Sequence, residues 1–206
     1  MMVRNRKNSV LTTFTKEALV DSFVALVSER PMDKIKIQDI VDHCGVNRNT
    51  FYYHFADIYS LLEYLFEDEA KKTINYIDSG ASFKECFRHS ISFIIQHRIA
   101  VIHIANSINR ELFENYFCQS FYHILKEYLT QNFQVDKMNP EDFEFLISFY
   151  EHAFVGMTMD WITNGINELP DEETENFLRK LDNLFNSMIP LSLERKLNKF
   201  DALSNL

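Results

Sequence analysis

The chain has 206 residues, 46% of them apolar and 25% charged, with four Gly, four Pro and a net charge of −9. That length allows one or two ordinary domains around a sizeable core and is too long for a bare recognition module. Averaged over the chain, the acidic charge disfavours nucleic acid and anionic membranes as partners, and the scarcity of Gly and Pro points away from a turn-rich all-β fold and towards an all-α one.

Gly and Pro act as punctuation between apolar-periodic stretches. Arg4, Arg6, Lys7 and Lys16 all precede the first acidic residue, Glu17, and read as a flexible basic arm able to reach phosphates or the minor groove. The first helix is predicted from Leu11 to Glu29, with Phe14, Leu19, Phe23 and Leu26 along one side, and Pro31 blocks its continuation. A short second helix fits Ile37–Cys44, where Ile37, Ile40, Val41 and Cys44 recur on one helical face. Gly45 follows, where a left-handed turn residue belongs. Asn47 is placed to cap a third helix through Tyr53, and Asp57 to cap a fourth carrying Ile58, Leu61, Leu62, Leu65 and Phe66. Beyond Gly80, helices are predicted near 82–97, 99–107, 110–131, 141–164 and 172–189, about nine in all.

The helix from Asp142 is apolar on nearly every side, so it must be buried on several sides. The last helix carries a broad stripe that includes Phe177, Leu181, Phe185 and Met188. One explanation is a single buried core. The preferred one is a homodimeric four-helix interface through Phe149, Phe154, Trp161, Leu181, Phe185 and Met188.

Cys44, Cys86 and Cys118 are odd in number and far apart, which fits a reducing compartment. The longest run free of Asp, Glu, Lys and Arg is 11 residues, for example Ile99–Asn109, well short of the ~20 residues of a spanning helix. The expected location is the cytoplasm, with no membrane partner. No nucleophile elbow, phosphate loop or HExxH motif is present, so neither enzyme activity nor a cofactor is expected.

Residues 37–53 read as helix, Gly turn, short helix, the arrangement that lays a second helix in the DNA major groove. Arg48, Asn49 and Tyr52 share one face of that second helix, while Phe51 and Phe55 share another that suits a core. Arg pairs bidentately with guanine and Asn with adenine. Thr50, Tyr52, Tyr53 and His54 supply short donors for phosphates. The competing reading, that the aromatic run 51–55 is only core, is weakened by the polar Asn47-Arg48-Asn49-Thr50 immediately before it.

Residues 10–66 resemble the N-terminal DNA-binding domain of the TetR/AcrR family of transcriptional regulators, most specifically in Val46-Asn47-Arg48-Asn49-Thr50-Phe51-Tyr52-Tyr53-His54-Phe55 followed by Asp57 and Leu61-Leu62. The stretch Gly156–Pro170 resembles a branch that includes regulators of dihydroxyacetone kinase operons. The resemblance implies a helix-turn-helix domain over 1–56 and a helical effector-binding and dimerisation domain over 57–206. It implies a ligand-responsive regulator, a repressor in the reading preferred here, that binds double-stranded operator DNA of palindromic sequence as a homodimer. Carried over residue by residue, it assigns Gln38, Arg48, Asn49 and Tyr52 to bases or nearby phosphates, and Thr50, Tyr53 and His54 to the backbone. Ile58 stands where many members carry Lys, and Ile37 where many carry Thr, so the usual phosphate anchor and helix cap are both replaced.

A small-molecule effector is the further partner that the resemblance implies. His89, His103, Tyr122, His152 and Trp161 are the leading candidates to touch it, with His97, Asn106, Tyr116 and His123 behind them. Cys86 with His89 could share a metal on one helix face, but too few further ligands accompany them, and no metal site is expected. A non-DNA-binding, ligand-sensing coactivator or protein-partner paralogue with the same fold is the alternative, and an all-α enzyme with an ancillary DNA-binding domain is the third possibility. Regional charge removes the opening objection to DNA. Residues 1–60 hold eight basic against seven acidic residues, and residues 61–206 hold thirteen against twenty-three.

Overall fold

The computed structural model describes residues 2–166 and 171–189, with side chains described from Thr12 onward apart from 171–174, Phe177 and Met188. Among these residues the fold is all-α. The helices are α1 (Met2–Glu29), α2 (Ile37–Cys44), α3 (Arg48–His54), α4 (Ile58–Asp78), α5 (Phe83–Gln96), α6 (Arg98–Ser107), α7 (Arg110–Asn132), α8 (Pro140–Thr163) and α9 (Asp171–Met188). Single 3-10 turns at Met32–Lys34 and Val135–Lys137 were not expected. None of the described helices is long and apolar enough to cross a membrane.

The main departure from expectation is the start of α1, at Met2 rather than Leu11. The expected flexible arm is therefore helical backbone. Nothing in residues 2–10 breaks a helix, since neither Gly nor Pro occurs there. The side chains of Arg4, Arg6 and Lys7 lie outside the described residues.

Local chemistry explains the other boundaries. Gly45 adopts φ 75° and ends α2, and the Val46 N–H donates back to the Val41 carbonyl at 3.0 Å, closing the helix end. The α2 start lacks a Thr cap, and Asp39 takes over. Its carboxylate accepts the Lys36 N–H at 2.9 Å and pairs with Arg30 at 2.9 Å. Asp57 and Ser60 cap α4 reciprocally, with Ser60 N–H donating to Asp57 Oδ1 at 2.7 Å and Asp57 N–H to Ser60 Oγ at 3.1 Å. Asn139 caps α8 through the Glu141 N–H, with Pro140 in the first turn, where its missing N–H is no loss.

The chain forms two compact units, one of Met1–Asp68 with Ile94–Phe113 and the other of Glu69–Phe93 with Glu114–Leu206. In the first, α1 packs on α2 and on α6, and α2 on α3. Its centre is the fully buried set Leu19, Phe23, Ile40, Phe51, Leu61 and Leu62. In the second, aromatic rings fill the core. Phe83 and Phe185 stack at 3.7 Å between ring centroids, and Phe154 lies among Phe83, Phe87, Phe121 and Tyr150.

The two helices expected to be apolar on several sides divide their surfaces. From α8, Ile147, Tyr150, Phe154, Val155, Met159 and Ile162 enter the core. Phe145, Phe149 and Met157 instead face out, at 73%, 51% and 44% exposure. From α9, Leu178, Leu181 and Phe185 are buried and Leu184 is exposed. Of the six side chains expected at a dimer interface, Phe154, Leu181 and Phe185 already sit inside the protomer's own core, Phe149 is open to solvent and Trp161 is half-buried. The Met188 side chain lies outside the described residues.

Candidate nucleic-acid interface

Three short-range devices fix the α2–α3 hairpin. The left-handed Gly45 turns the chain. Asn47 Oδ1 then accepts the Thr50 N–H at 2.9 Å and its hydroxyl at 3.2 Å, starting α3. Phe51 and Phe55, at 0% and 4% exposure, anchor α3 from beneath. With those rings inside, the helix period places Arg48, Asn49 and Tyr52 outside, and all three are exposed.

The exposed face is partly preorganised. The Arg48 guanidinium donates to the Tyr52 hydroxyl at 3.2 Å and lies 5.8 Å from its ring centre. That contact limits where a long side chain wanders and lowers the entropy lost when it meets a base. Tyr53 is 77% exposed and meets His54 edge-on at 4.9 Å. Gln38, exposed on α2, donates to Asp42 at 2.7 Å, so it must exchange that partner to reach a base. Thr50 is half-buried and engaged with its cap, as above. Ile58 is half-buried at the start of α4, while the neighbouring Tyr59 is exposed and carries a hydroxyl.

His54 differs from the rest. Burial lowers its pKa below the ordinary value, and the Lys16 ammonium lowers it further. Lys16 sits 4.6 Å from the Tyr64 ring centre and 5.8 Å from that of Phe55. Sequence reasoning placed Lys16 in a basic arm. Its position beside the end of α3 had no local signal, because α1 and α3 meet only through the tertiary fold.

The expected effector residues each have surroundings of their own. His89 Nδ1 lies 3.1 Å from the Thr73 hydroxyl, and its ring stacks on Tyr76 at 5.2 Å. His103 Nδ1 donates to the Val27 carbonyl at 2.7 Å. Tyr122 donates to Glu144 at 2.9 Å and accepts from Lys126 at 2.7 Å, in a surface network. His152 is exposed and donates to its own helix at Ser148 O. Trp161 packs half-buried against the aromatic core. His97, Asn106, Tyr116 and His123 are scattered over α6, its preceding residue and α7. Sequence reasoning passed over Tyr150, which lies inside the core and whose buried hydroxyl has no hydrogen-bond partner among the described residues.

Burial and Glu85 push the Cys86 thiol up to about 11, and burial with the Glu151 carboxylate pushes Cys118 up to about 12. Both are therefore thiols at neutral pH, a poor state for a nucleophile or metal ligand. Among the described residues no three His, Cys, Asp or Glu side chains gather as a metal site would require.

Comparison with known proteins covers both halves of the chain. Residues 16–65 match a family described as bacterial regulatory proteins, tetR family. Residues 81–187 match one described as transcriptional regulator C-terminal region. No curated protein is a significant sequence match. Among solved structures, the chain is similar to the dihydroxyacetone kinase operon activator DhaS, with 20% identity and a TM-score of 0.68 over 87% of this chain and 98% of that one. It is also similar to a TetR transcriptional regulator from Streptococcus agalactiae 2603V, with 24% identity and a TM-score of 0.55 over 88% and 98%. At these identities the likeness to both structures is one of fold.

Proposed function

Because this chain belongs to the TetR family of transcriptional regulators, we propose that it is a ligand-responsive repressor that binds a palindromic operator as a homodimer. The observation that carries this reading is the outer face of α3. Arg48, Asn49, Tyr52 and Tyr53 stand exposed over the buried Phe51 and Phe55, where a major groove would meet them. In this reading residues 1–56 are the DNA-binding domain, and residues 57–206 sense the effector and dimerise. Gln38, Arg48, Asn49 and Tyr52 read bases or nearby phosphates. Thr50, Tyr53 and His54 hold the backbone. Tyr59 supplies a phosphate donor one residue beyond Ile58. The protein works in the cytoplasm, where its operator is, and without catalysis.

The exposed side of α8 supports the dimer. Phe145, Phe149 and Met157 recur along one side of α8 as apolar side chains that the described protomer leaves open, and Leu184 on α9 is exposed too. Water contact at such a surface is costly, and a second copy relieves it. Gly156 fits the same face. A mid-helix Gly costs about 1 kcal/mol relative to Ala. A Cβ there would meet nothing within 4 Å, so packing inside the protomer does not explain this residue. Close approach of a partner helix does.

A salt series on duplex DNA tests the reading. Duplexes selected from a random pool by the full-length protein should bind with an affinity that falls steeply as salt rises, in proportion to the phosphates neutralised. A second reading, a ligand-sensing coactivator or protein partner without DNA, draws on Ile58 in place of a family Lys. Selection of no duplex at low salt would establish it and overturn the first. The sign of regulation follows from operator position, and an operator upstream of its promoter would make this chain an activator.

A further inference from the structure

Proline supplies no backbone N–H. Pro31 stands four residues beyond Val27, where an α-helix would offer its next donor to the Val27 carbonyl. That carbonyl, in the last turn of α1, is therefore left without its helical partner by the sequence itself. A side chain from elsewhere fills the gap. His103, in the middle of α6 and 76 residues away, places Nδ1 2.7 Å from Val27 O in a partly buried setting. A carbonyl only accepts, so His103 must carry its proton on Nδ1.

The contact leads directly into the helix-turn-helix. Three residues after Val27, Arg30 forms an ion pair with Asp39 at 2.9 Å. The same Asp39 carboxylate oxygen accepts the Lys36 N–H that starts α2. Asp39 thus does two jobs at once, and the Arg30 pair ties the carboxylate that caps α2 to the end of α1. The sequence of contacts is His103 to Val27, then along α1 to Arg30, then Arg30 to Asp39, then Asp39 to the first turn of α2. From α2 the Gly45 turn leads to α3. The α6 backbone also packs on the Met32–Lys34 turn between α1 and α2, so the same helix holds both sides of the corner.

We propose that His103 is a positioning residue for DNA recognition, a latch from α6 that completes the end of α1 where Pro31 cannot and so sets the start of the helix-turn-helix. It touches no base and, in this reading, no effector. It rests on the regulator reading for its biological purpose, but its geometry is independent of it. The consequence for regulation is direct. A displacement of α6 reaches the recognition helix through this bond, so the residue that fixes the operator-binding pose is also the one through which that pose is altered.

Asparagine carries an amide N–H where the His Nδ1–H lies, and leucine carries none. His103→Leu should therefore bind the selected duplex about tenfold more weakly, the effect of leaving one buried carbonyl unpaired. His103→Asn should remain within about twofold of the unchanged protein, with equal helicity in all three. The amide of Lys36 should exchange with solvent about tenfold faster in His103→Leu and at the normal rate in His103→Asn. Nitrogen NMR of the unchanged protein should show His103 protonated at Nδ1. A bare Nδ1, or His103→Leu with both normal exchange at Lys36 and normal DNA affinity, overturns the proposal. If His103→Leu does not fold, the tautomer and the Asn variant still decide. If the unchanged protein selects no duplex, the regulator reading fails, and exchange at Lys36 still decides the latch.

Discussion

The exposed aromatic residues of α3 and those of α8 are of different kinds. On α3 they are Tyr52 and Tyr53, accompanied by Arg48 and Asn49. On α8 they are Phe145 and Phe149, accompanied by Met157 and Ala153. A tyrosine presents an apolar ring and a polar tip, and suits a wet, charged partner. A phenylalanine beside a methionine has nothing to offer water or phosphate and suits another apolar surface. The two surfaces belong to different compact units, and their chemistry separates the two partners proposed above, DNA for one and a second copy for the other.

The comparison is broken most severely by removing the support beneath α3. Phe51→Ala deletes a fully buried ring, and denaturant unfolding should show a loss of about 3–5 kcal/mol. Next, Phe149→Ser should shift the proposed dimer towards monomer in sedimentation by about 1.5–3 kcal/mol, the value of burying one such side chain, with protomer helicity unchanged. If Arg48→Ala and Tyr52→Ala each leave circular dichroism intact but weaken duplex binding by about 1–3 kcal/mol, the polar character of α3 is functional. Equal binding by both variants would remove α3 from the interface. Gly156→Ala should stabilise the protomer by about 1 kcal/mol in unfolding measurements made at a dilution that keeps it monomeric.

The smallest effect is electrostatic. Burial and Lys16 disfavour the charged form of His54 in the folded state. The unfolded chain then binds the more protons between the lowered pKa and the ordinary value of 6.5, so stability is complete above 6.5 and declines as pH falls below it. Urea midpoints across pH 5 to 7.5 should show a shallow acid loss that Lys16→Met reduces. The ring is only partly buried, and the loss is correspondingly small.

The sequence made the helix-turn-helix legible because its signals are local. Gly45, Asn47 and Asp57 each act within three or four residues of their position, and each appears in the fold as expected. The start of α1 was missed because apolar periodicity marks a buried face and is silent about helix that extends beyond the core. The roles of Lys16 and His103 were illegible for another reason. Lys16 meets rings more than thirty residues away, and His103 meets a carbonyl 76 residues away, so neither has a local signature. The broad apolar character of α8 was visible, but the division of its side chains between core and surface depends on how neighbouring helices are packed. That is why Phe154 and Phe149, five residues apart on one helix, ended on opposite sides.

Pro31 also has an evolutionary consequence. Any other residue there brings an N–H of its own and lets α1 satisfy its last turn from within. A relative that has lost Pro31 no longer needs a donor from α6, and its residue 103 is free to drift. Positions 31 and 103 should therefore change together in an alignment of relatives, although they lie far apart in the chain.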